Sequence, residues 1–132
     1  WRKLDVGGRR PPARFGHTTT NIPGSSGKLL VVGGRDHLHN GSGDPTLFNG
    51  FMGLHVLDTE RRTWAQQPFS GTPPSQAFYH SAVVLDDQTM LFLASGAGAR
   101  GTDGTVADAV PLHLLDLESW RWSQPRTSGV AP

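Results

Sequence analysis

The sequence predicts an all-β fold assembled from repeated antiparallel sheets, and three observations support this prediction. Glycine and proline supply 17 and 10 of the 132 residues, which argues against long helices because both residues destabilise a helix interior. Four Trp and six Phe, with Val and Leu scattered between them, argue against disorder. The chain also repeats its landmarks at a spacing of about 60 residues, which is typical of stacked or radial architectures.

Composition and charge exclude several classes of function. Twelve basic against eleven acidic residues give a net charge of +1, so no electrostatic field selects a nucleic acid or an anionic membrane. No apolar stretch reaches the ~18 residues of a membrane helix. The absence of cysteine excludes a disulfide framework and a Cys-ligated zinc site within these residues, and it favours a cytoplasmic location. We therefore expect no nucleic-acid partner and no membrane partner.

Three segments recur in the same order in the two halves of the chain. They are Pro11–His17 and Pro73–His80, Leu29–Gly34 and Met90–Gly96, and Leu54–Asp58 and Leu112–Asp116. A Trp stands six residues after each closing Asp, at Trp64 and Trp122. Trp1 precedes Trp64 by 63 residues, so we expect the first residues to be the end of an earlier unit.

Each unit is predicted to form four short strands. They cover residues 17–22, 28–32, 51–57 and 63–67 in the first unit, and 80–85, 89–94, 109–115 and 120–124 in the second. The second strand of each unit is almost continuously apolar, which is typical of a strand covered on both faces. Two four-stranded antiparallel sheets at this period indicate a radial or stacked repeat rather than a sandwich.

The first unit resembles the kelch repeat. The resemblance rests on Gly33-Gly34 after an apolar strand, on Asp58 closing the third strand and on Trp64 six residues later. The opening Pro11–His17 resembles the long form of that repeat. Kelch repeats build β-propellers with one four-stranded blade per repeat, so the resemblance implies that fold.

The second unit departs from the kelch pattern at two points. Ser95-Gly96 replaces the di-glycine, and Arg14 of the first unit has no clear counterpart before His80. The resemblance nevertheless covers essentially the whole chain. It divides the chain into the end of a preceding blade with its linker at residues 1–10, one blade at 11–68, a second at 69–125, and a linker to a following blade at 126–132.

The repeated landmarks are expected to build the fold rather than to carry chemistry. Glycines would end a strand where blades crowd together, tryptophans would wedge between blades, and aspartates would accept N–H bonds in the following turn. These structural residues are Gly33, Gly34, Gly96, Trp64, Trp122, Asp58 and Asp116.

Two blades alone leave an apolar face open at each end, whereas propellers close with about four to eight blades. We therefore expect the chain to belong to a longer protein with about six or seven blades. The remaining blades of that propeller would then be partners of this chain. The alternative is that three chains associate into a ring of about six blades, which rotational symmetry permits.

Function is expected at one end of the sheets. Alternate connections of a meander lie at opposite ends, so the linker into the first strand shares an end with the loop between the second and third strands. We call this end the long-loop face, because those loops are long, at residues 35–50 and 97–108. Rigid scaffolds commonly present functional loops, and Arg beside aromatic residues favours protein recognition. The candidate partner-binding residues are Arg14, Phe15, Arg35, Asp36, His37, His39, Phe48, Gln76, Tyr79, Arg100 and Asp103.

The resemblance supports this choice of face, because kelch proteins generally bind partners at the corresponding end. Structural roles remain the alternative for several residues. Phe15, Phe78 and Tyr79 would then pack between blades, and His17 and His80 would be hydrogen-bonded structural groups at the start of the innermost strands.

Two further motifs give no support to a cofactor site. His37 and His39 lie two positions apart, but no third metal ligand follows at a familiar spacing. Residues 96–101 match G-x-G-x-x-G by their glycines alone, without the βαβ unit that a nucleotide site needs. We therefore expect no metal and no cofactor.

The sequence thus predicts a non-catalytic protein-interaction module, a scaffold or substrate-recognition propeller that binds a protein or peptide. The alternative is part of a propeller enzyme, a metal-dependent oxidase or a specifier-type protein, with its site in blades not present here. Kelch-like copper radical oxidases use a Tyr cross-linked to Cys, and this chain has no Cys. The Glu-x3-Asp-x3-His pattern of the specifier proteins is also absent.

Overall fold

The computed structural model describes residues 1–35, 51, 53–74, 77, 79–93, 112–126 and 128, and the regular structure within them is all β. Its strands, numbered in chain order, are β1 Gly7–Gly8, β2 Phe15–Asn21, β3 Lys28–Arg35, β4 Leu54–Asp58, β5 Thr63–Gln67, β6 Ser70–Gly71, β7 Ser81–Val84, β8 Thr89–Leu93, β9 Leu112–Asp116 and β10 Arg121–Ser123. Sheet 1 has the order β1-β5-β4-β3-β2, and sheet 2 has the order β6-β10-β9-β8-β7. The predicted all-β class is confirmed.

Each sheet contains a four-stranded antiparallel meander. In sheet 1, β2 pairs with β3, β3 with β4 and β4 with β5, and β7 to β10 repeat this pairing in sheet 2. Leu30 lies opposite Val56, so both side chains point to the same face of the sheet. Strands β2 and β7, the first of each meander, contact each other.

The observed strands differ from the predicted ranges mainly at the long-loop face. β2 begins at Phe15 and β3 continues to Arg35, and these two residues pair directly. The pairing therefore runs past the apolar residues to Arg35, but it skips Gly34, whose N–H bonds to Ala77 O instead. β4 starts later than predicted, at Leu54, and parts of the predicted strands 89–94 and 109–115 lie outside the described residues.

A fifth strand extends each sheet, and the sequence analysis did not predict it. β1 pairs in parallel with β5, and β6 pairs in parallel with β10. A Cβ at Gly8 would collide with the backbone carbonyl of Trp64, and a Cβ at Gly71 with that of Trp122. Glycine at these two positions therefore permits the close approach. After β5 of sheet 1, the chain thus runs parallel to β10 of sheet 2, as β6, before it enters β7.

The hydrophobic core lies between the two sheets. Sheet 1 contributes Leu30, Val32 and Leu54, each 0% exposed. Sheet 2 contributes Met90, Phe92, Leu115 and Trp122, with Trp122 2% exposed, and the turn after β9 contributes Leu117. The Trp122 ring packs 4.8 Å from the centroid of Phe92 and, edge-on, 5.4 Å from that of Phe51. One shared core therefore joins the two sheets. Within the described residues, no helix is long and apolar enough to cross a membrane.

Candidate functional site

Four predicted partner-binding residues meet where the chain passes from sheet 1 to sheet 2. We call this group the junction cluster; its members are Arg14, Phe15, Arg35 and Tyr79. Phe15 and Arg35 pair across β2 and β3 at the long-loop face. Tyr79 immediately precedes the entry into β7 and places its ring 6.3 Å from the Phe15 ring.

The guanidinium group of Arg35 lies against both aromatic rings of the junction cluster. Its Cζ atom is 4.8 Å from the centroid of Phe15 and 5.9 Å from that of Tyr79. Cation–π contacts of this kind stabilise by about 0.5–2 kcal/mol, depending on exposure. The Tyr79 side chain is 61% exposed, so the cluster presents an aromatic ring and a fixed positive charge at the surface.

Backbone contacts from sheet 1 determine where Tyr79 stands. Its φ of 52° lies in the left-handed region, a conformation that costs about 1–3 kcal/mol in a residue other than glycine. Tyr79 N donates a hydrogen bond of 2.8 Å to Gly16 O, and Gly34 N donates one of 2.5 Å to Ala77 O. These two bonds offset the strain and hold the segment that carries the tyrosine against sheet 1.

The close approach of this segment depends on Gly33 and Gly34. A Cβ at Gly33 would collide with the carbonyl group of Ala77, and both glycines have left-handed backbones, with φ of 68° and 85°. Ala77 is itself 1% exposed. The di-glycine therefore positions the junction between the sheets from within β3.

Arg14 is fixed beside the same glycines. Its Nη1 donates a hydrogen bond of 2.9 Å to Gly33 O, and its Nε donates one of 3.2 Å to Pro12 O. Burial lowers the pKa of the Arg14 guanidinium. Its buried Nη2 has no hydrogen-bond partner among the described residues. Arg14 thus adds a second positive charge to the junction cluster in a fixed position.

His80 makes a third link between the sheets, directly after Tyr79. Its ring is 7% exposed, and its Nε2 lies 2.7 Å from Thr18 Oγ1. Burial lowers the pKa of His80, a hydrogen bond with the backbone of Ala77 raises it, and the charge of His17 lowers it further. The net pKa is lowered, so the ring is neutral at neutral pH.

A shallow open cleft, which we call the rim cleft, lies at the outer edge of the long-loop face, where β5 ends. Its volume is about 370 Å³, and it is lined by Arg9, Gln66, Gln67, Pro68 and Phe69. The Phe69 side chain is 39% exposed. The cleft therefore adds a cation, two amides and an aromatic ring to the same end of sheet 1.

Burial and the positive charges at the long-loop face lower the pKa of a histidine in β4. His55 is 4% exposed, and burial lowers its pKa, with further lowering by the positive charges of Arg14 and Arg9. The described part of the long-loop face of sheet 1 thus carries the positive charges of Arg9 and Arg14 near His55.

The other predicted binding residues lie outside the described residues; they are Asp36, His37, His39, Phe48, Gln76, Arg100 and Asp103. The structural candidate Gly96, the histidine pair His37 and His39, and the glycine motif at residues 96–101 also lie there. The structure therefore brings together Arg14, Phe15, Arg35 and Tyr79 from the predicted set.

The predicted turn aspartates lie at the opposite end of the sheets. Asp58 Oδ1 accepts a hydrogen bond of 2.8 Å from Arg61 N. Asp116 Oδ1 accepts bonds of 2.6 Å from Ser119 N and 3.1 Å from Glu118 N. These backbone hydrogen bonds lower the pKa of both carboxyl groups. Each aspartate thus satisfies the N–H groups of the turn that follows its strand.

The sequence analysis missed Arg9, at the rim cleft, and the linker glycines Gly8 and Gly71. A signal for the glycines was present. A Gly stands seven residues after a Trp three times, at Trp1 and Gly8, at Trp64 and Gly71, and at Trp122 and Gly129. Two of these glycines make the parallel contact with the next outer strand, so the spacing marks the bound linker.

The arrangement at the long-loop face is suited to binding another polypeptide. It combines fixed guanidinium groups, exposed aromatic rings and amide side chains, the residue types that favour protein recognition. In the part of the chain that the structure describes, no three His, Cys, Asp or Glu side chains are grouped so that they could hold a metal ion.

Two antiparallel meanders that share one core, and that are joined through a di-glycine, define a pair of kelch-type β-propeller blades. The chain belongs to the kelch-repeat family, since the family model of the KLHDC2/KLHL20/DRC7 Kelch-repeats domain matches residues 1–132. The resemblance drawn from the sequence is thereby confirmed.

Curated relatives agree with this assignment. The chain is 32% identical to the Acyl-CoA-binding domain-containing protein 4 of Arabidopsis thaliana, over 100% of this chain and 17% of the relative. It is 29% identical to the Rab9 effector protein with kelch motifs of Bos taurus, over 100% of this chain and 46% of the relative. It is 30% identical to the Dynein regulatory complex subunit 7 of Chlamydomonas reinhardtii, over 90% of this chain and 9% of the relative. The chain thus spans less than half the length of these relatives.

Proposed function

We propose that this chain is a non-catalytic protein-interaction module that binds a protein or peptide partner through the long-loop face. The observation that carries the proposal is the junction cluster. Residues from β2, from β3 and from the entry to β7 converge there on one surface, with Tyr79 61% exposed beside the Arg35 guanidinium. Arg and Tyr are among the residues that contribute most to binding energy in protein interfaces.

The rigidity of this surface supports the proposal. Tyr79 is held by backbone hydrogen bonds to sheet 1, and Arg14 is held by the Gly33 carbonyl. A surface whose side chains are already ordered loses less conformational entropy when a partner binds. The rim cleft with Arg9 and Phe69 lies at the same end, so a partner that covers both would contact much of sheet 1.

Relatives of this chain carry names that refer to interactions between proteins. One is a Rab9 effector and another is a subunit of the dynein regulatory complex. We extend only this general role to the present chain and propose a protein partner, with no part for a nucleic acid or a membrane. We further propose that other blades of the same propeller pack against the open faces of the two sheets.

A comparison of two variants tests the proposed surface. The full-length protein carrying Arg35→Ala and Tyr79→Ala would be compared in affinity capture with the wild type and with Arg62→Asn. Arg62 lies at the opposite end and has a φ of 54°, which Asn adopts readily, so this control removes a charge without straining the backbone. We expect the double variant to retain at least ~10-fold less of a specific partner and the control to retain it fully.

A third variant extends the test to the residues outside the described part of the chain. Both long loops would be shortened to Gly-Ser turns, and we expect loss of the same partner with unchanged circular dichroism. Retention of the partner by both the double variant and the loop variant would refute the proposed surface. Loss of the partner from Arg62→Asn would place binding at the other end.

A further inference from the structure

Among the described residues of the junction between the sheets, His80 is a side chain that both bridges the sheets and titrates near neutral pH. Two of the three hydrogen bonds described above join backbone groups and cannot respond to pH near neutrality. The third joins Thr18 Oγ1 of β2 to His80 Nε2, at 2.7 Å. His80 follows Tyr79 in the chain, so any movement of the histidine is passed directly to the exposed ring of the junction cluster.

The surroundings of His80 offer little support for a charged ring. From β2 it faces Thr18 and the titratable His17, from β8 it faces the Phe92 ring at 5.7 Å, and from the preceding segment it faces the Ala77 backbone. Among these groups none is a carboxylate. The Nδ1 atom of His80 is buried and makes no well-aligned hydrogen bond among the described residues, so the nearby Ala77 backbone only partly offsets the loss of solvation.

Protonation would therefore place a positive charge and a second N–H donor in a site that is 7% exposed. A buried charge without a counter-ion is strongly unfavourable. Moving the charged ring into water removes this cost of burial, and that movement separates His80 from Thr18. The adjoining Tyr79 has a strained φ of 52°, so it relaxes once the contacts that hold it are weakened.

We propose that His80 is a pH-sensitive positioning residue whose neutral ring, bonded to Thr18, keeps Tyr79 in the junction cluster and whose protonation releases it. Acidification would thus switch the binding surface off without unfolding the sheets. The inference rests on the proposed function, because the cluster that it regulates is the proposed binding surface. Burial lowers the pKa of His80, so release occurs below the ordinary histidine value of 6.5.

Tyr79 supplies its own probe, because it is the only tyrosine in the chain. Full-length protein labelled with 3-fluorotyrosine, with any tyrosine outside this chain replaced by Phe, gives one ¹⁹F resonance. That resonance would be followed from about pH 8 to about pH 5, the range in which histidine titrates. In the wild type we expect the resonance to shift on acidification, with a midpoint below pH 6.5. In His80→Gln, whose side chain cannot titrate, we expect this pH-dependent shift to be absent.

Two further variants separate His80 from its neighbours. His17→Gln removes the nearby exposed histidine and should leave the transition in place. Thr18→Val removes the hydroxyl partner of the ring and should move the resonance at about pH 8 toward its acid position. A transition that persists in His80→Gln, or one that disappears in His17→Gln, would overturn the proposal.

Far-UV circular dichroism over the same pH range tests whether the change is local. A ¹⁹F shift without loss of the β signal supports a local release, whereas a shift that coincides with unfolding overturns it, as does the absence of any shift. No partner is present in this experiment. Failure of the switch is therefore distinguishable from failure of the proposed function, which the capture experiment reports.

Discussion

Trp64 and Trp122 stand at the same position of their repeats, yet their surroundings differ. Trp122 is 2% exposed in the core between the sheets, whereas Trp64 is only partly buried. Trp64 pairs with Leu57, so it lies on the face of sheet 1 that points away from sheet 2. Equivalent residues therefore become a core or an open surface according to whether a neighbouring sheet covers them.

The same contrast holds along the neighbouring strands. Met90 and Leu115 of sheet 2 are 0% exposed, whereas their repeat equivalents Leu29 and Leu57 of sheet 1 are partly exposed. A single kelch repeat thus specifies half of an interface, and the adjacent repeat supplies the other half. This is the expected behaviour of repeat architectures, in which stability comes largely from contacts between neighbours.

The largest expected effect comes from truncating the two tryptophans separately. Trp122→Ala should reduce the free energy of unfolding by about 3–5 kcal/mol, because it empties a fully packed site. Trp64→Ala should cost less than about 2 kcal/mol, since less surface is buried there. Urea unfolding followed by far-UV circular dichroism would measure both. Equal losses in the two variants would break the comparison.

The next largest loss of stability is expected where the two sheets approach each other at Gly33. Gly33→Ala should cost about 3 kcal/mol, because the new methyl group collides with the Ala77 carbonyl in a left-handed backbone. Gly24→Ala is a matched control, since Gly24 has a φ of 66° but no atom within 4 Å of an added Cβ. That control should cost only about 1 kcal/mol. The difference in unfolding free energy isolates the contribution of the contact between the sheets.

Removing the turn aspartates should reduce stability by a smaller amount, which should be the same in the two sheets. Asp58→Ala and Asp116→Ala each remove the acceptor for backbone N–H groups in an exposed turn. We expect small losses of stability, similar in the two variants and below that of Gly33→Ala. A thermal melt of each variant would measure them. A much larger loss for one aspartate would show that the turns, too, depend on the neighbouring sheet.

The smallest effect is the pH dependence of stability in the histidine range. The pKa values of His55 and His80 are lowered in the folded protein, so the unfolded chain binds protons more readily. Their contribution to stability is present above pH 6.5, the ordinary histidine value, and decreases as the pH falls below it. Urea midpoints measured across this range should decline on acidification, and less steeply in a variant with both residues changed to Gln.

Much of this fold could be predicted because its signals are local. Apolar runs marked the strands that became β3 and β8, and the spacing from Asp58 to Trp64 marked the turn into β5. The repeat of these landmarks then indicated equivalent sheets and the kelch family. Strand ends were less predictable, because β3 continues through Gly33 and Gly34 to Arg35, where the glycines permit a close backbone approach rather than end the strand.

The remaining features depend on contacts between distant parts of the chain. The parallel strands β1 and β6 are two residues long, so they have no periodicity to detect. The left-handed backbone of Tyr79 results from its bond to Gly16 O, which exists only when sheet 1 lies alongside. Nor does the sequence distinguish the buried Trp122 from the open Trp64, since the repeat is the same at both positions.

The most direct test of the proposed binding surface is site-specific photo-cross-linking in the full-length protein. A photoreactive phenylalanine analogue would replace Tyr79 in one variant and Arg62, at the opposite end of sheet 1, in the other. The account predicts a specific protein adduct from position 79 and none from position 62. An adduct from position 62 with none from position 79 would contradict it.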